Sequence, residues 1–475
     1  MSTHPLQKGR YSAMKRYIAE GLEQYLSQDM KPWHMPGHKR KGIGIPLDDI
    51  YQFDITEIPG VDDLHNPEGI ILKSEQQLAE IYDTFASYYM VNGATGGVLS
   101  AVGAVANYIK TICVEDNAEQ CHEKAVKDSI IIARNCHKSV YNACEIFGLK
   151  PIYLEPEYID LGDDFTSHIY GAVTAKQIKS VVEANPDVVA VVITSPTYEG
   201  VISDIASIKT VLQSYNIPLI VDEAHGAHLP FISELPRSAV SFGADIVVQS
   251  LHKTLPALTQ TAIIHVNNQE LNKQLRKYLS IFMSSSPSYP MLCSMEEAVV
   301  SSYERKNENR YETYIESIRS FRASVSSLKS IKLLGVVQTK SIYDDSRIVF
   351  YSHQSGEYLA ARLREVGNIE VEMSGTNYVV LISTYMDEPE EFMHLEKIIK
   401  LLDEEFGRDK VRNKSCEEAT FSKEELYKLV GTVAEDNIFV YPPGSYIIAA
   451  KEEITKEAID KIIELKSSGK RIIGL

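Results

Sequence analysis

The segment VVQSLHKTL (247–255) puts Lys253 directly after an apolar run with the makings of a buried strand. Burial penalises the ammonium form, so the amine's pKa falls and its neutral form gains ground. A neutral amine is what imine formation with a carbonyl group requires. The plain alternative is a loop lysine whose head reaches solvent. In IPLIVDEAHGAH (217–228), Asp222 ends a second apolar run, at the strand end where ligands of open α/β sheets bind. A carboxylate there suits the ring nitrogen of a pyridoxal group, which must stay protonated for the ring to accept electrons. Alone, Asp222 would serve equally well as a helix cap or an ion-pair partner. The pair, one strand-to-strand step apart, is far more specific than either member.

Two further motifs point the same way. In VNGATGGVLSAVGAV (91–105), Gly93, Ala94, Thr95 and Gly96 precede a helix with apolar positions Val98, Ala101, Val102 and Val105. Free backbone N–H groups and the positive helix end make a phosphate cradle, or simply an ordinary helix start. In ARNCHKSVYNA (133–143), His137 follows an apolar run and opens a helix. A flat imidazole there can stack on a cofactor ring or cap the helix. Asp62, Asp63 and Tyr198 are additional candidates, each with an ordinary packed or solvated alternative.

The elements that must hold these residues alternate along the chain. Apolar runs at 129–134, 151–156, 187–194, 217–223, 245–250 and 261–266 read as strands. Several are apolar on both faces, as strands covered on each side must be. Val140, Ala143, Cys144 and Phe147 fall at helical spacing, with Gly148 placed to end that helix, and Ile205, Ile208, Leu212 and Tyr215 repeat the pattern. Strand, helix, strand at this spacing predicts a doubly wound, mostly parallel α/β domain. Beyond MSSSPSYP (283–290) a charged helical region over about 292–329 leads to weaker strands at 347–351, 378–384 and 437–441. Helices are expected near 356–366, 389–406 and 454–468. The expected organisation is an N-terminal arm (1–45), a major domain (46–285) and a smaller α/β domain (286–475).

Composition narrows the function classes. With 44% hydrophobic and 24% charged residues the chain is an ordinary folding sequence. A net charge of −17, from 48 basic against 65 acidic residues, argues against nucleic acid as a partner and suits a small cationic substrate. The six cysteines (Cys113, Cys121, Cys136, Cys144, Cys293, Cys416) form no CxxC pair and no zinc-like spacing, so reduced thiols and no metal are expected. No segment resembles a signal peptide or a membrane span, and the expected location is the cytoplasm.

Taken in order, HMPGHK (34–39), VDDLHNPEGI (61–70), RNCHKS (134–139), SPTYEG (195–200), VDEAHGAH (221–228), SLHKTL (250–255) and YPPG (441–444) closely resemble the ornithine/lysine/arginine decarboxylase family, in its shorter branch without an N-terminal wing domain. The resemblance implies the aspartate-aminotransferase fold, pyridoxal 5'-phosphate held covalently, and an active site at a homodimer interface. Carried over, Lys253 would form the Schiff base, with His252 near the phosphate or substrate carboxylate. Asp222 would pair with the ring nitrogen and His137 would stack on the ring. Ala94, Thr95 and Ser250 would hold the phosphate, and His225 would lie beside the ring. By the same resemblance, Ser284–Tyr289 would reach the partner's cofactor phosphate. The sequence departs from the family at GATG, where relatives carry GTSG, at TLPALTQ after SLHK, and at SY after YPPG.

The activity implied is decarboxylation of arginine, lysine or ornithine to a polyamine-type amine. Transamination or aldol cleavage on the same scaffold, and a non-enzymatic binding role, are the alternatives. For a basic substrate the far cation needs an acidic partner, and Glu57, Asp62, Asp63 and Glu199 are the candidates near the motifs.

Overall fold

The computed structural model describes residues 14–28, 30–42, 44–115, 127–161, 168–305, 309–408, 423–435, 437–441, 445–449, 451–467 and 471–475. Cys121, Cys416 and residues 442–444 of YPPG lie outside them, as does the side chain of Cys113. Seven strands make one sheet: β1 (Ala86–Met90), β2 (Ser129–Ala133), β3 (Lys150–Leu154), β4 (Val188–Thr194), β5 (Leu219–Asp222), β6 (Ile246–Ser250) and β7 (Ala262–Val266). Their order is β1-β7-β6-β5-β4-β2-β3, and only β7 runs against its neighbours. Every residue of β2, β5, β6 and β7 is buried, so both faces are covered and the sheet opens only at its edges.

Helices α1 (Ile70–Tyr82), α2 (Gly93–Glu115), α3 (Lys138–Phe147), α4 (Ala175–Ala184), α5 (Ile205–Ser214) and α6 (Gln269–Phe282) share its core. In α3 the apolar spacing buries Val140, Ala143 and Cys144, and Gly148 ends the helix at φ 66°, a left-handed turn that costs glycine little. The charged region expected over 292–329 is two helices, α7 (Tyr289–Glu304) and α8 (Arg310–Ser324). Among the described residues no helix is long and apolar enough to cross a membrane.

The C-terminal part holds two antiparallel sheets. The first has β8 (Ile331–Leu333), β9 (Arg347–Ser352), β10 (Met373–Ser374) and β11 (Tyr378–Ile382) in the order β8-β9-β11-β10. Helices α9 (Gly356–Gly367) and α10 (Pro389–Arg408) cover it, and its apolar face joins the main core through Ile348, Phe350 and Val379. The second has β12 (Ile438–Tyr441), β13 (Ser445–Ile448) and β14 (Arg471–Ile473), with its own small core that includes Ile438, Ile448, Ile459 and Ile462.

Helix α2 reaches the sheet closely because Gly97 has no side chain: a Cβ there would lie 2.9 Å from Val248 Cγ1 on β6. Gly97→Val is therefore expected to cost about 1–3 kcal/mol by overpacking, seen as a lower urea midpoint. An unchanged midpoint would contradict the contact.

Candidate active site

Parallel neighbours end on the same side of a sheet, and here that side gathers the chemistry. β5 ends on Asp222 and β6 on Ser250, with a tight turn, Leu251–Lys253, immediately after. β1 delivers the chain to Gly93, Ala94 and Thr95, β2 delivers it to Asn135 and His137, and β4 to Thr197, Tyr198 and Glu199. All of these residues except Leu251 line one cavity of about 370 Å³, together with His225. Gly96 does not line it; its free side faces Asn92 and Met90.

Lys253 is held below the usual lysine range, first by burial and then by the Arg347 charge, against an opposing pull from Asp222. Its Nζ lies 3.1 Å from Nε2 of His225. Burial, then the Lys253 and Arg347 charges, drive the His225 imidazole well below its ordinary pKa. Asp222 is buried and accepts the backbone N–H of Ala224 at 3.2 Å. His252 donates from Nδ1 to the Thr261 carbonyl at 3.0 Å. Of the two roles its position allowed, His137 takes the cap: its Nδ1 accepts the Ser139 N–H at the start of α3, and the residue also lines the cavity. Burial lowers its pKa, with Asp222 pulling the other way.

The acidic candidates separate by what already occupies them. Asp62 accepts backbone N–H groups of Glu68, Gly69 and Ile71 at 2.7–3.0 Å, so it ties down the start of α1. Asp63 accepts the His65 N–H, and Glu57 the Thr56 hydroxyl. Glu199 alone of the four lines the cavity; burial pushes its carboxyl up, and Tyr378 donates to it at 3.0 Å. Sequence reasoning missed Asn135, which lines the cavity and whose buried Oδ1 has no partner among the described residues. It also missed Glu372, which accepts the Tyr198 hydroxyl and whose charge reaches Lys253 and His252. Asn135 was legible beside His137 in the same motif; Glu372 carried no local signal. Ser284, in the stretch expected to reach a partner subunit, donates its N–H to Asn92 at the cavity rim.

The residues fit pyridoxal phosphate on the structure's own terms. Gly93, at φ 71°, turns the chain so that a long helix begins at the cavity, offering free N–H groups to an anion. A desolvated amine and a carboxylate share that cavity, and Asn135 supplies an acceptor still unspent.

Behind the site, β9 brings Arg347 against His225, and the loop before it places Asp344 Oδ2 3.1 Å from His228 Nε2. Burial would raise the Asp344 pKa; His228, Arg347 and Ser346 outweigh it and hold the carboxyl low. Because the folded value is depressed, this stabilisation is present above the unfolded aspartate value, about 3.9, and is lost as pH falls through the folded one. Asp344→Asn should cost about 3–5 kcal/mol in urea unfolding at pH 7, with a shallower loss of stability below about pH 4 than wild type. An equal acid-side loss in the variant would refute the pairing.

Known proteins share this chain's sequence pattern and fold. The family model described as "Orn/Lys/Arg decarboxylase, major domain" matches residues 18–361. The uncharacterized protein YaaO of Bacillus subtilis (strain 168) is 30% identical over 488 residues, covering 97% of this chain and 96% of its own. An arginine decarboxylase of the same organism is 28% identical over 486 residues, covering 96% and 94%. Among solved structures, the Francisella novicida lysine decarboxylase LdcF superposes with a TM-score of 0.77 at 17% identity, over 97% of this chain and 79% of that one. With its seven-stranded, mostly parallel sheet and a family match across most of its length, this chain belongs to the Orn/Lys/Arg decarboxylase family.

Proposed function

We propose that this protein decarboxylates a basic amino acid, with pyridoxal phosphate held covalently through Lys253. The observation that carries the reading is the desolvated Lys253 amine sharing one cavity with Asp222 and the α2 N-terminus. Asp222, buried in the cavity wall, would pair with the ring nitrogen and keep it protonated. The N–H groups of Ala94 and Thr95, the Thr95 hydroxyl and Ser250 would hold the phosphate. His137 would stack on the ring, and His252 would approach the phosphate or the substrate carboxylate; both line the cavity. When bound, the cofactor supplies the electron sink that stabilises the carbanion left by CO2. A symmetric dimer, with Ser284–Tyr289 reaching the partner's site, completes the reading.

Orientation decides the reaction, so the substrate should be gripped at its far end and not by the departing carboxylate. Glu199 is the cavity carboxylate placed to meet the distal cation, and Glu372 accepts the hydroxyl of Tyr198, which lines the same cavity. Full-length arginine decarboxylase relatives favour arginine as the substrate to try first.

Three measurements test this. Lys253→Ala should bind the cofactor without a covalent link and release no CO2 from arginine, lysine or ornithine; retained turnover would overturn the assignment. Asp222→Ala should keep the cofactor but lose most activity, and near-normal turnover would contradict it. Glu199→Gln should raise KM for the preferred substrate about ten- to a hundredfold, the scale of a charge-assisted contact of about 1.5–3 kcal/mol. Because burial raises the Glu199 pKa, KM in the wild type should fall as rising pH ionises it, and that dependence should vanish in the variant. Unchanged kinetics would remove Glu199 from the substrate site.

A further inference from the structure

Arg347 is the first residue of β9, in the smaller sheet, yet its guanidinium lies wholly buried against the major-domain loop that carries His225. Nη2 is 2.9 Å from the His225 carbonyl oxygen and 3.3 Å from its Nδ1. Nε and Nη1 are buried with no partner among the described residues. Room for the side chain comes from Gly200, where a Cβ would sit 2.7 Å from Arg347 Cγ and φ is 98°. A buried guanidinium with unspent donors is costly, so its retention calls for a role beyond packing.

The donor inventory supplies one. Arginine only donates, so Nδ1 of His225 must be the acceptor. A neutral imidazole has one N–H, which then sits on Nε2, and Nε2 is the atom 3.1 Å from Lys253 Nζ. That N–H needs an acceptor, and lysine offers a lone pair only as the neutral amine. We propose that Arg347 is a positioning residue for Lys253: it holds His225 in the tautomer that points Nε2–H at the amine and so keeps the amine neutral and nucleophilic.

The other groups facing this chain are accounted for. His137, His252 and the Tyr198 ring, 4.6 Å from the His225 ring centre, face His225. Asp222 and Glu372 face Lys253 and favour its charged form. Asp344 faces Arg347, which donates its backbone N–H to the Asp344 carbonyl at 3.0 Å. The inference rests on Lys253 as the reacting amine, but its test does not depend on turnover.

The direct test is nitrogen NMR of the cofactor-free wild-type protein labelled at histidine, with the His225 signals identified by their loss in His225→Gln. At neutral pH the result expected is a neutral ring protonated on Nε2. A proton on Nδ1, or an imidazolium, overturns the proposal. The second arm is competitive acetylation of the cofactor-free protein across pH, with Lys253 read by peptide mass spectrometry against the exposed Lys150. Arg347→Met should raise the Lys253 midpoint by about one pH unit, or about tenfold slower labelling at pH 7. Arg347→Lys, which keeps a donor and a charge, should stay within about threefold of wild type. An unmoved Lys253 midpoint in Arg347→Met overturns the proposal; if that variant does not fold, the wild-type spectrum decides. If the tautomer is as stated but Lys253 forms no imine with added pyridoxal phosphate, the proposed function fails and this positioning role stands.

Discussion

An amine cannot attack a carbonyl while it carries a proton, and weakening the hold of one lysine on its proton is the constraint around which this structure is arranged. Burial does most of it: Lys253 sits in the first turn past a strand whose every residue is buried. A sheet covered on both faces leaves its C-terminal edge as the one place where a buried side chain can still meet a ligand. The remaining site residues follow from that edge, since six parallel strands end there and five of them, all but β3, contribute what comes next in sequence. Two carboxylates, Asp222 and Glu372, oppose the neutral amine, and the His225 and Arg347 pair on the other side offsets them.

Acidic residues in and around the motifs illustrate how neighbours assign roles. Asp222 and Glu223 are adjacent in sequence, yet they serve opposite sides of the sheet end. Glu223 takes the Ser238 hydroxyl, the Ala239 N–H and the Gln249 amide, which fixes the turn behind β6. Burial pushes its carboxyl up to about 7. Asp62 spends its oxygens on the start of α1. What remains for a cationic ligand is Glu199 in the wall, with Glu372 behind the Tyr198 hydroxyl.

Much of this was legible in the sequence, for physical reasons. Strands β2, β4, β5, β6 and β7 read clearly because a doubly covered sheet leaves its strands apolar on both faces. β1 did not: in ASYYM (86–90) the buried Ser87 bonds the buried His265 at 2.8 Å, so a polar cross-strand pair breaks the apolar run. Lys253, Asp222 and His137 stood out because each lies at or within one turn of a strand's C-terminal end. Arg347 stood in a recognised strand but meets His225 across 122 positions, a contact that chain topology creates and no local pattern announces. Asp62 and Gly96 show the converse: residue type and nearness to a motif suggested the site, while backbone donors and neighbouring side chains had already claimed them.

The central claim is that Lys253 is the amine that binds the cofactor. The most direct measurement is borohydride reduction of the wild-type protein loaded with pyridoxal phosphate, followed by mass mapping of the modified peptide. The account predicts one pyridoxyl group per chain, on Lys253 in SLHKTL. A reduced adduct on another lysine, or none at all with the cofactor bound, would contradict it.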